Sequence, residues 1–286
     1  MNKDITLIMN PTSKSGKGKS NWKFFKDFKK IITTSRENAI ETVINLDSNI
    51  IVAVGGDGTI NQCVNGIMKS ENSKILGVLY SGTSPDFCKF HNIPIEPQKA
   101  VEFLNRCDIK DVDVCKIIFE DKSENWFSSS CNIGLGAKIA GISNKIRRYF
   151  GDFLGTFIAL IYSFITANFF DAKIEIGEKQ IEFKNLYHLL VVKNNYIASG
   201  LKIGLNCEPD DGKIYIIPIF RQNIFSLVNT IKSLYKGDFL DKNILECDKV
   251  FISTSSKQYI EFDGDNYPQT TPVTIECFKK SLKLIK

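Results

Sequence analysis

The stretch Asn49-Ile50-Ile51-Val52-Ala53-Val54-Gly55-Gly56-Asp57-Gly58-Thr59 decides how the rest of the chain is interpreted. Its first half is an unbroken apolar run rich in β-branched residues, which predicts a strand buried on both faces of a parallel sheet. Residues 60–68 then place apolar side chains at the spacing of one helical face. Glycines at such a strand-to-helix turn allow positive φ and let the backbone approach a ligand without a Cβ in the way. Free N–H groups and the positive end of the helix dipole point at one spot, so the stretch predicts a phosphate site.

The single carboxylate in this turn, Asp57, sharpens that prediction. A carboxylate next to a polyphosphate is repelled unless a cation lies between them, so Asp57 implies either Mg²⁺ or direct action on a reacting hydroxyl. An ordinary α/β turn with spare glycines is the alternative.

Composition limits the class of protein. A chain of 286 residues with 43% hydrophobic and 24% charged residues is globular and has room for one large domain or two modest ones. Its eight cysteines contain no CxxC pair, which argues against a zinc ribbon and favours reduced thiols in the cytosol. The two histidines have no partner at useful spacing, so histidine catalysis is disfavoured. The first residues, Met1 to Asp4, lack a signal-peptide pattern.

The charge of the chain is mildly basic, at +5, with lysines concentrated in residues 14–30 and 279–286. Such an excess suits an anionic membrane surface or nucleotide phosphates, although a solvated lysine-rich face is the simpler explanation for most of these residues. No basic ribbon interleaved with aromatic residues is present, so we expect no nucleic acid partner.

Two further loops follow predicted strands in the first half. Residues 5–9 form a strand that ends in the Ser/Gly/Lys-rich loop 10–20, which fails as a P-loop because Ser13 stands where the motif requires glycine. A helix over 21–30, a short strand over 30–34 and a helix with Ser35 as N-cap are expected to follow. Residues 75–80 form another strand, followed by Ser81-Gly82-Thr83-Ser84-Pro85-Asp86-Phe87 and a predicted helix start. Two glycine turns at one sheet edge are expected to converge on one ligand.

From Val112 onward, short alternating runs bounded by Gly, Asp and Asn, among them 181–183 and 187–192, predict an antiparallel sandwich, with a domain boundary near residue 118. The 18 uncharged residues Phe153–Phe170 reach the lower limit for a membrane span. Their polar residues and β-rich surroundings favour a buried helix that lines an apolar cleft.

An acidic turn, Asp263-Gly264-Asp265, ends one of these runs. Asp-Gly is common hairpin chemistry, and that is the plain interpretation. Phosphorylating an alcohol also benefits from a carboxylate that accepts the hydroxyl proton. Asp263 is therefore the candidate base and Asp57 its rival, and the sequence alone does not rank them.

Taken in order, these motifs resemble those of the diacylglycerol kinase/sphingosine kinase superfamily, to which NAD kinases and phosphofructokinases are more distantly related. The resemblance rests on the loop 10–20, Gly55–Thr59, Gly82–Phe87, the segment Asn132–Ala137 and Asp263–Asp265. It implies a three-layer, Rossmann-like α/β domain at 1–118, carrying the glycine-rich nucleotide turn, to which 278–286 returns. A mainly antiparallel β-sandwich with an inserted helix is expected at 119–277.

The resemblance also implies the reaction: ATP- and Mg²⁺-dependent transfer of the γ-phosphoryl group to the hydroxyl of diacylglycerol or a related membrane lipid alcohol. The partners would be ATP and a lipid at the membrane surface, with the protein cytoplasmic and peripheral on the inner face; a homodimer is compatible with this.

Site residues follow from the same resemblance. The expected nucleotide-binding residues are Asn10, Thr34, Gly55, Gly56, Asp57, Gly58, Thr59, Ser81, Gly82 and Thr83. Asp263 and Asp57 would be catalytic, Asp86 and Asp265 would orient the substrate, and Asp57, Asp211 and Asp265 would contact metal. Surface turns are the alternative for Thr34 and Asp211.

Two residues depart from the family pattern. Pro85 replaces an asparagine and so removes an amide and an N–H, and Asp265 replaces a glutamate. These changes keep two alternatives open: a kinase of a soluble dinucleotide, like the NAD kinases, and a catalytically weakened lipid- or nucleotide-binding regulator.

Overall fold

The computed structural model describes residues 4–11, 22, 28–135, 137–139, 142, 162, 168–197, 201–222, 226, 229, 232, 233 and 244–286. Four helices have bounds within these residues: α1 (Arg36–Asn45), α2 (Asp57–Lys69), α3 (Asp86–Phe90) and α4 (Pro97–Arg106). The strands of the first half are β1 (Ile5–Met9), β2 (Lys29–Ile32), β3 (Ile50–Gly55), β4 (Ile75–Tyr80) and β5 (Ile109–Phe119). Those of the second half are β6 (Glu124–Phe127), β7 (Ser130–Gly134), β8 (Phe170–Ile176), β9 (Lys179–Val192), β10 (Tyr196–Ile197), β11 (Leu201–Lys202), β12 (Ile214–Phe220), β13 (Leu245–Cys247), β14 (Lys249–Thr254), β15 (Tyr259–Phe262), β16 (Asp265–Thr270) and β17 (Val273–Ile285).

The first half is built on four parallel strands in the order β2-β1-β3-β4. Their buried, β-branched side chains suit a sheet that is covered on both faces. One face packs against α1 and α2, and the other packs against α4. This is the three-layer α/β arrangement expected from the sequence. Since the strands are parallel, the carboxyl ends of β1, β3 and β4 lie at one edge of the sheet.

Two helices begin at that edge for identifiable reasons. Ser35 is the N-cap of α1, and its side chain accepts a hydrogen bond from the backbone N–H of Asn38 at 3.1 Å, which confirms the expected cap. Helix α2 begins directly after Gly56, with Asp57 in its first turn and Lys69 in its last. An acidic residue in the first turn and a basic residue in the last turn have the signs that the helix dipole favours at these ends.

The second half is an antiparallel sandwich, as expected. Its core is one cluster of buried apolar side chains from strands β5 to β17, in which Phe127, Phe262 and Ile275 are fully buried. Strand β17 pairs antiparallel with β14 and β5. Its end also pairs parallel with β4, with Lys283 opposite Ile75 and Leu284 opposite Leu76. The C-terminal strand therefore completes the sheet of the first half.

Several local predictions need correction. The two short strands expected at 181–183 and 187–192 are one long strand, β9, because both segments fit a single continuous pairing with β8 and β7. Lys29, expected in a helix from Asn21 to Lys30, lies instead in β2, which overlaps the short strand expected from Lys30 to Thr34. The segment Asn132–Ala137, expected to follow a strand and open a helix, provides the end of β7 in residues 132–134, and Leu135 and residues 137–139 are helical.

The proposed cleft helix falls almost wholly outside the described residues, which from Phe153–Phe170 include only Tyr162 and residues 168–170; Phe170 begins β8. In the described part of the chain, no helix combines the length and apolar character needed to cross a bilayer.

Candidate active site

The two glycine turns meet at the carboxyl edge of the parallel sheet. The backbone N–H of Ser81 donates to the carbonyl of Gly55 at 2.8 Å. A Cβ placed on Gly82 would overlap the Cα of Gly56, so only glycine at both positions allows the two backbones to approach so closely. One ligand at this edge would therefore contact both turns.

The glycines of the first turn act differently from what the sequence suggested. We expected positive φ, but none of Gly55, Gly56 and Gly58 has it, and Gly56 has a φ of −97°. Glycine is required at Gly55 because a Cβ there would overlap the side chain of Thr59. Glycine is therefore needed in this turn because neighbouring atoms pack closely against it, and not because the backbone takes a left-handed conformation.

The loop after β1 joins this edge through Asn10. Its Nδ2 donates to Thr59 Oγ1 at 3.3 Å, which ties the end of β1 to the first turn of α2. Beside this contact lies a cavity of about 170 Å³. It is lined by Asn10, Pro11, Thr33, Thr34, Ser35, Arg36 and Gln62. The structure thus brings Asn10, Thr34 and Thr59 to one location next to the glycine turns.

Three buried polar atoms at the turns have no hydrogen-bond partner among the described residues: Asp57 Oδ1, Tyr80 Oη and Ser81 Oγ. Buried polar groups in folded proteins are nearly always paired, because leaving them unpaired costs free energy. Unpaired atoms that share one edge with two glycine turns indicate a place for a polar ligand.

Carboxylates gather at the same place. Burial raises the pKa of Asp57 well above its usual range, and the charges of Asp86 and Asp263 raise it further. Asp86 is the first residue of α3, is only 7% exposed and accepts a hydrogen bond from Ser84 Oγ at 2.9 Å. Pro85 is the N-cap residue of α3 and provides no side-chain cap.

Asp263 is held more firmly than any other carboxylate of the site. It lies in the hairpin between β15 and β16 with a φ of 50°, followed by Gly264 with a φ of 93°. Its Oδ1 accepts from the backbone N–H groups of Ser129 (2.9 Å) and Ser130 (3.1 Å). Its Oδ2 accepts from the N–H (2.7 Å) and hydroxyl (3.1 Å) of Ser128 and from Asn61 Nδ2 (3.1 Å). Burial raises the pKa of Asp263, and these hydrogen bonds oppose that rise.

Sequence reasoning missed the asparagines that link α2 to the sandwich. Asn61 Nδ2 donates both to Asp263 and to the carbonyl of Trp126, the latter at 2.8 Å. One helical turn later, Asn65 donates to the same carbonyl at 2.8 Å and accepts from the N–H of Trp126 at 3.0 Å. Both asparagines are fully buried. The sequence could have indicated this role, because the two polar residues lie four positions apart on the buried face of an amphipathic helix.

A second missed residue is Arg36, at the start of α1. Its guanidinium reaches across to the sandwich, where it contacts the hydroxyl of Tyr267 and lies 3.5 Å from Asp265 Oδ2. Burial raises the pKa of Asp265, and the charge of Arg36 opposes that rise. Asp265 also lies next to Gly58, close to the N-terminus of α2.

Asp211 lies apart from these residues, in a cluster that already contains a cation. The ammonium of Lys193 contacts Asp211 Oδ1, Asp113 Oδ2 at 2.8 Å and the carbonyl of Glu208 at 2.9 Å, and the Lys193 side chain is 1% exposed. Asp211 also accepts the N–H groups of Glu208 and Lys213. Because the Lys193 ammonium already bridges the carboxylates of Asp113 and Asp211, these residues do not call for a divalent ion.

The donor set near Asp57 fits Mg²⁺ better. Mg²⁺ is usually bound by one or two carboxylates together with substrate phosphates, and Asp57 has an unpaired buried oxygen next to Asp86. Within the described residues, no group of three or more His, Cys, Asp or Glu side chains is arranged to hold a metal by itself. A metal here would thus depend on oxygens from a ligand.

Comparison with known proteins agrees with this architecture. Residues 4–117 match the diacylglycerol kinase catalytic domain family, and residues 129–286 match the YegS C-terminal NAD kinase beta sandwich-like domain family. A diacylglycerol kinase of Staphylococcus haemolyticus (strain JCSC1435) is 26% identical over 250 residues, which are 85% of this chain and 73% of that protein. Another protein of the same strain, provisionally named a lipid kinase, is 26% identical over 247 residues, covering 84% and 77%.

A solved structure supports the fold. The crystal structure of a diacylglycerol kinase from Bacillus anthracis str. Sterne has a TM-score of 0.79 and 22% sequence identity, and the match covers 100% of this chain and 98% of that one. An α/β domain with two glycine turns facing a β-sandwich that carries an acidic hairpin defines a two-domain kinase. The chain is a diacylglycerol kinase-like lipid kinase, a phosphotransferase with an alcohol group as acceptor, and its second half belongs to the YegS C-terminal domain family.

Proposed function

We propose that this protein transfers the γ-phosphoryl group of ATP to the hydroxyl of diacylglycerol or a related membrane lipid alcohol, with Mg²⁺ as cofactor. The observation that carries the proposal is the set of unpaired buried atoms on Asp57, Tyr80 and Ser81 where the two glycine turns meet. Backbone N–H groups at a helix start suit phosphate oxygens, and the unpaired atoms provide further polar contacts.

Asp263 is the proposed proton acceptor. As the acceptor hydroxyl oxygen bonds to the γ-phosphorus, the bond from that phosphorus to the β–γ bridging oxygen breaks and ADP leaves. The hydroxyl proton passes to the Asp263 carboxylate. Four of its five hydrogen bonds come from backbone or amide groups, but the fifth comes from the rotatable hydroxyl of Ser128. A lipid hydroxyl that displaces Ser128 Oγ would form the hydrogen bond needed for proton transfer.

Asp57 is proposed to act on the nucleotide side. Its raised pKa reflects unfavourable burial among carboxylates, which a nearby cation would relieve. Asp57, with Asp86 close by, would hold Mg²⁺ together with phosphate oxygens. When bound, the metal would offset the negative charge of the phosphates.

A soluble acceptor is the second candidate, because the family description of residues 129–286 names NAD kinases. A weakened regulator is the third, since Pro85 supplies no polar group where the family has an asparagine. One assay distinguishes these two candidates from the lipid kinase. The protein is incubated with radiolabelled ATP and Mg²⁺, either with vesicles that contain diacylglycerol or with NAD⁺. The products are then separated by organic extraction.

We expect label in the organic phase. If label is found only on NAD⁺, the protein is a kinase of a soluble acceptor. If neither acceptor is labelled, the regulator is favoured. Sedimentation with anionic vesicles tests the peripheral membrane association in the same preparation.

A further inference from the structure

The guanidinium of Arg36 stands between the cavity next to the glycine turns and the carboxylates of the sandwich. Its Nη2 donates to the hydroxyl of Tyr267 and, at 3.4 Å, to Asn61 Oδ1. The guanidinium carbon lies 5.0 Å from the ring centre of Tyr267, within the range of a cation–π contact. These contacts place a cation at the boundary between the two halves of the protein.

The contact of Arg36 with Asp265 is incomplete. Nε and Asp265 Oδ2 are 3.5 Å apart, beyond an ordinary N–H···O hydrogen bond. Both atoms are buried, and neither has a hydrogen-bond partner in the described part of the chain. Arginine carries donors in a planar fork that matches phosphate oxygens, so an unused donor here is suited to a phosphate.

The position of Arg36 relative to the proposed nucleotide site supports such a ligand. Arg36 lines the same cavity as Asn10 and Thr34. Its partner Asp265 approaches Gly58 in the first turn of α2, where a Cβ would be 3.7 Å from Asp265 Oδ1. A phosphate bound at the N-terminus of α2 therefore lies close to this arginine.

The charges of the site also favour a contact between Arg36 and a phosphate. Asp57, Asp86 and Asp263 raise one another's energy when ionised, and a polyphosphate would add more negative charge. Among the described residues, the ion pair between Arg36 and Asp265 adjoins these carboxylates through Asn61, which accepts from Arg36 and donates to Asp263. A cation already at this position can neutralise a phosphate without any change in the fold.

We propose that Arg36 binds the terminal phosphate of the nucleotide, moving from Asp265 to that phosphate as ATP enters. During transfer it stabilises the charge on the oxygens of the phosphoryl group. Asp265 and Tyr267 hold the side chain in place before the nucleotide arrives. This role rests on the proposed function and adds to it a residue that distinguishes ATP from ADP.

The test compares Arg36→Gln and Arg36→Lys with wild type. Calorimetric titration with ATP and with ADP measures binding, and lipid phosphorylation measures turnover. Arg36→Gln should lower ATP affinity about tenfold or more while changing ADP affinity by less than about threefold, and should lower kcat by about 100-fold or more. Arg36→Lys should recover part of the ATP affinity, because it keeps the charge but loses the fork.

Arg106→Gln, an exposed arginine at the end of α4, is the charge-matched control and should change neither measurement. If Arg36→Gln weakens ATP and ADP equally, or leaves ATP affinity unchanged, the role is overturned. If wild type binds ATP but phosphorylates no lipid, the proposed function fails, while the comparison of ATP with ADP still decides the role of Arg36. Binding of no nucleotide by wild type would overturn both.

Discussion

At the scale of single residues, the two acidic residues assigned to catalysis differ in how many hydrogen bonds they accept. Asp263 accepts five, whereas Asp57 Oδ1 accepts none from the described residues and the Asp57 carboxylate is supported by the backbone N–H of Phe87. Replacing Asp263 by asparagine turns one acceptor oxygen into a donor and leaves at least two buried donors unpaired. Each unpaired donor costs roughly 1–3 kcal/mol, so Asp263→Asn should lower the free energy of unfolding by about 2–6 kcal/mol and abolish lipid phosphorylation.

Asp57→Asn is the matched comparison, and its effect on stability should have the opposite sign. It removes a carboxylate whose ionisation is disfavoured by burial, so the melting temperature should be unchanged or higher while turnover is lost. Urea unfolding and the lipid assay measure both effects. Equal stability of wild type and Asp263→Asn would show that the five hydrogen bonds matter little.

A further prediction at this scale concerns Glu261, which is 5% exposed. It accepts hydrogen bonds from Asn132 Nδ2 and, at 2.5 Å, from the N–H of Gly264. Burial raises its pKa from 4.5 to about 7. Between these values the folded protein binds more protons than the unfolded chain, so the contribution of Glu261 to stability falls as pH rises, by about 3 kcal/mol in all.

In Glu261→Gln this titration is removed. The free energy of unfolding of the variant minus that of wild type should therefore rise as pH increases from 4.5 to 7. Urea unfolding at several pH values measures the difference; a constant difference across that range would contradict the assigned pKa.

At the scale of elements, Lys193 joins the end of β9 to the start of β5 and the loop before β12. Burial disfavours its charge, but hydrogen bonds to Asp113 and Asp211 outweigh that effect and hold its pKa above the usual range. Removing one partner of a buried pair leaves an uncompensated charge, so Lys193→Met should cost about 3–5 kcal/mol. Lys213→Met removes an exposed ion pair with Glu246 and should cost less than about 1 kcal/mol.

Thermal unfolding of both variants gives the comparison, and EDTA should leave the melting temperature of nucleotide-free wild type unchanged. A similar loss in the two variants, or a large effect of EDTA, would show that the ammonium does not take the place of a metal ion at Asp211.

The elements themselves were largely predictable, because local patterns encode them. The apolar run 50–54, the cap Ser35 and the glycine turns each gave the correct strand or helix. The contacts between the two halves were not predictable in this way. Asn61 meets Asp263 across 202 positions, and Arg36 meets Tyr267 across 231, so the spacing within either element carries no information about the partner. Only assembly of the sheets determines these pairs.

At the scale of the whole molecule, β5 and β17 run through both halves. The first segment of β5 pairs with the last segment of β17, which also pairs with β4 in the parallel sheet. The remainder of both strands pairs within the sandwich. The register shifts between Phe278 and Leu282, where the N–H of Lys280 donates to Asp113 at 2.7 Å. A continuous strand pair of this kind should couple the stability of the two halves.

Leu284 tests that coupling, because it is fully buried in the strand end that pairs with β4 and packs in the core between that sheet and α2. Leu284→Ala should lower the free energy of unfolding by about 2–5 kcal/mol, through lost burial and the cavity left behind. Its exposed neighbour gives the control, Lys283→Ala, with an effect within about 0.5 kcal/mol. Urea unfolding followed by far-ultraviolet circular dichroism and by tryptophan fluorescence should give coincident transitions that shift together in Leu284→Ala. Two separate transitions, of which only one moves, would show that β5 and β17 join the halves without making them unfold as one unit.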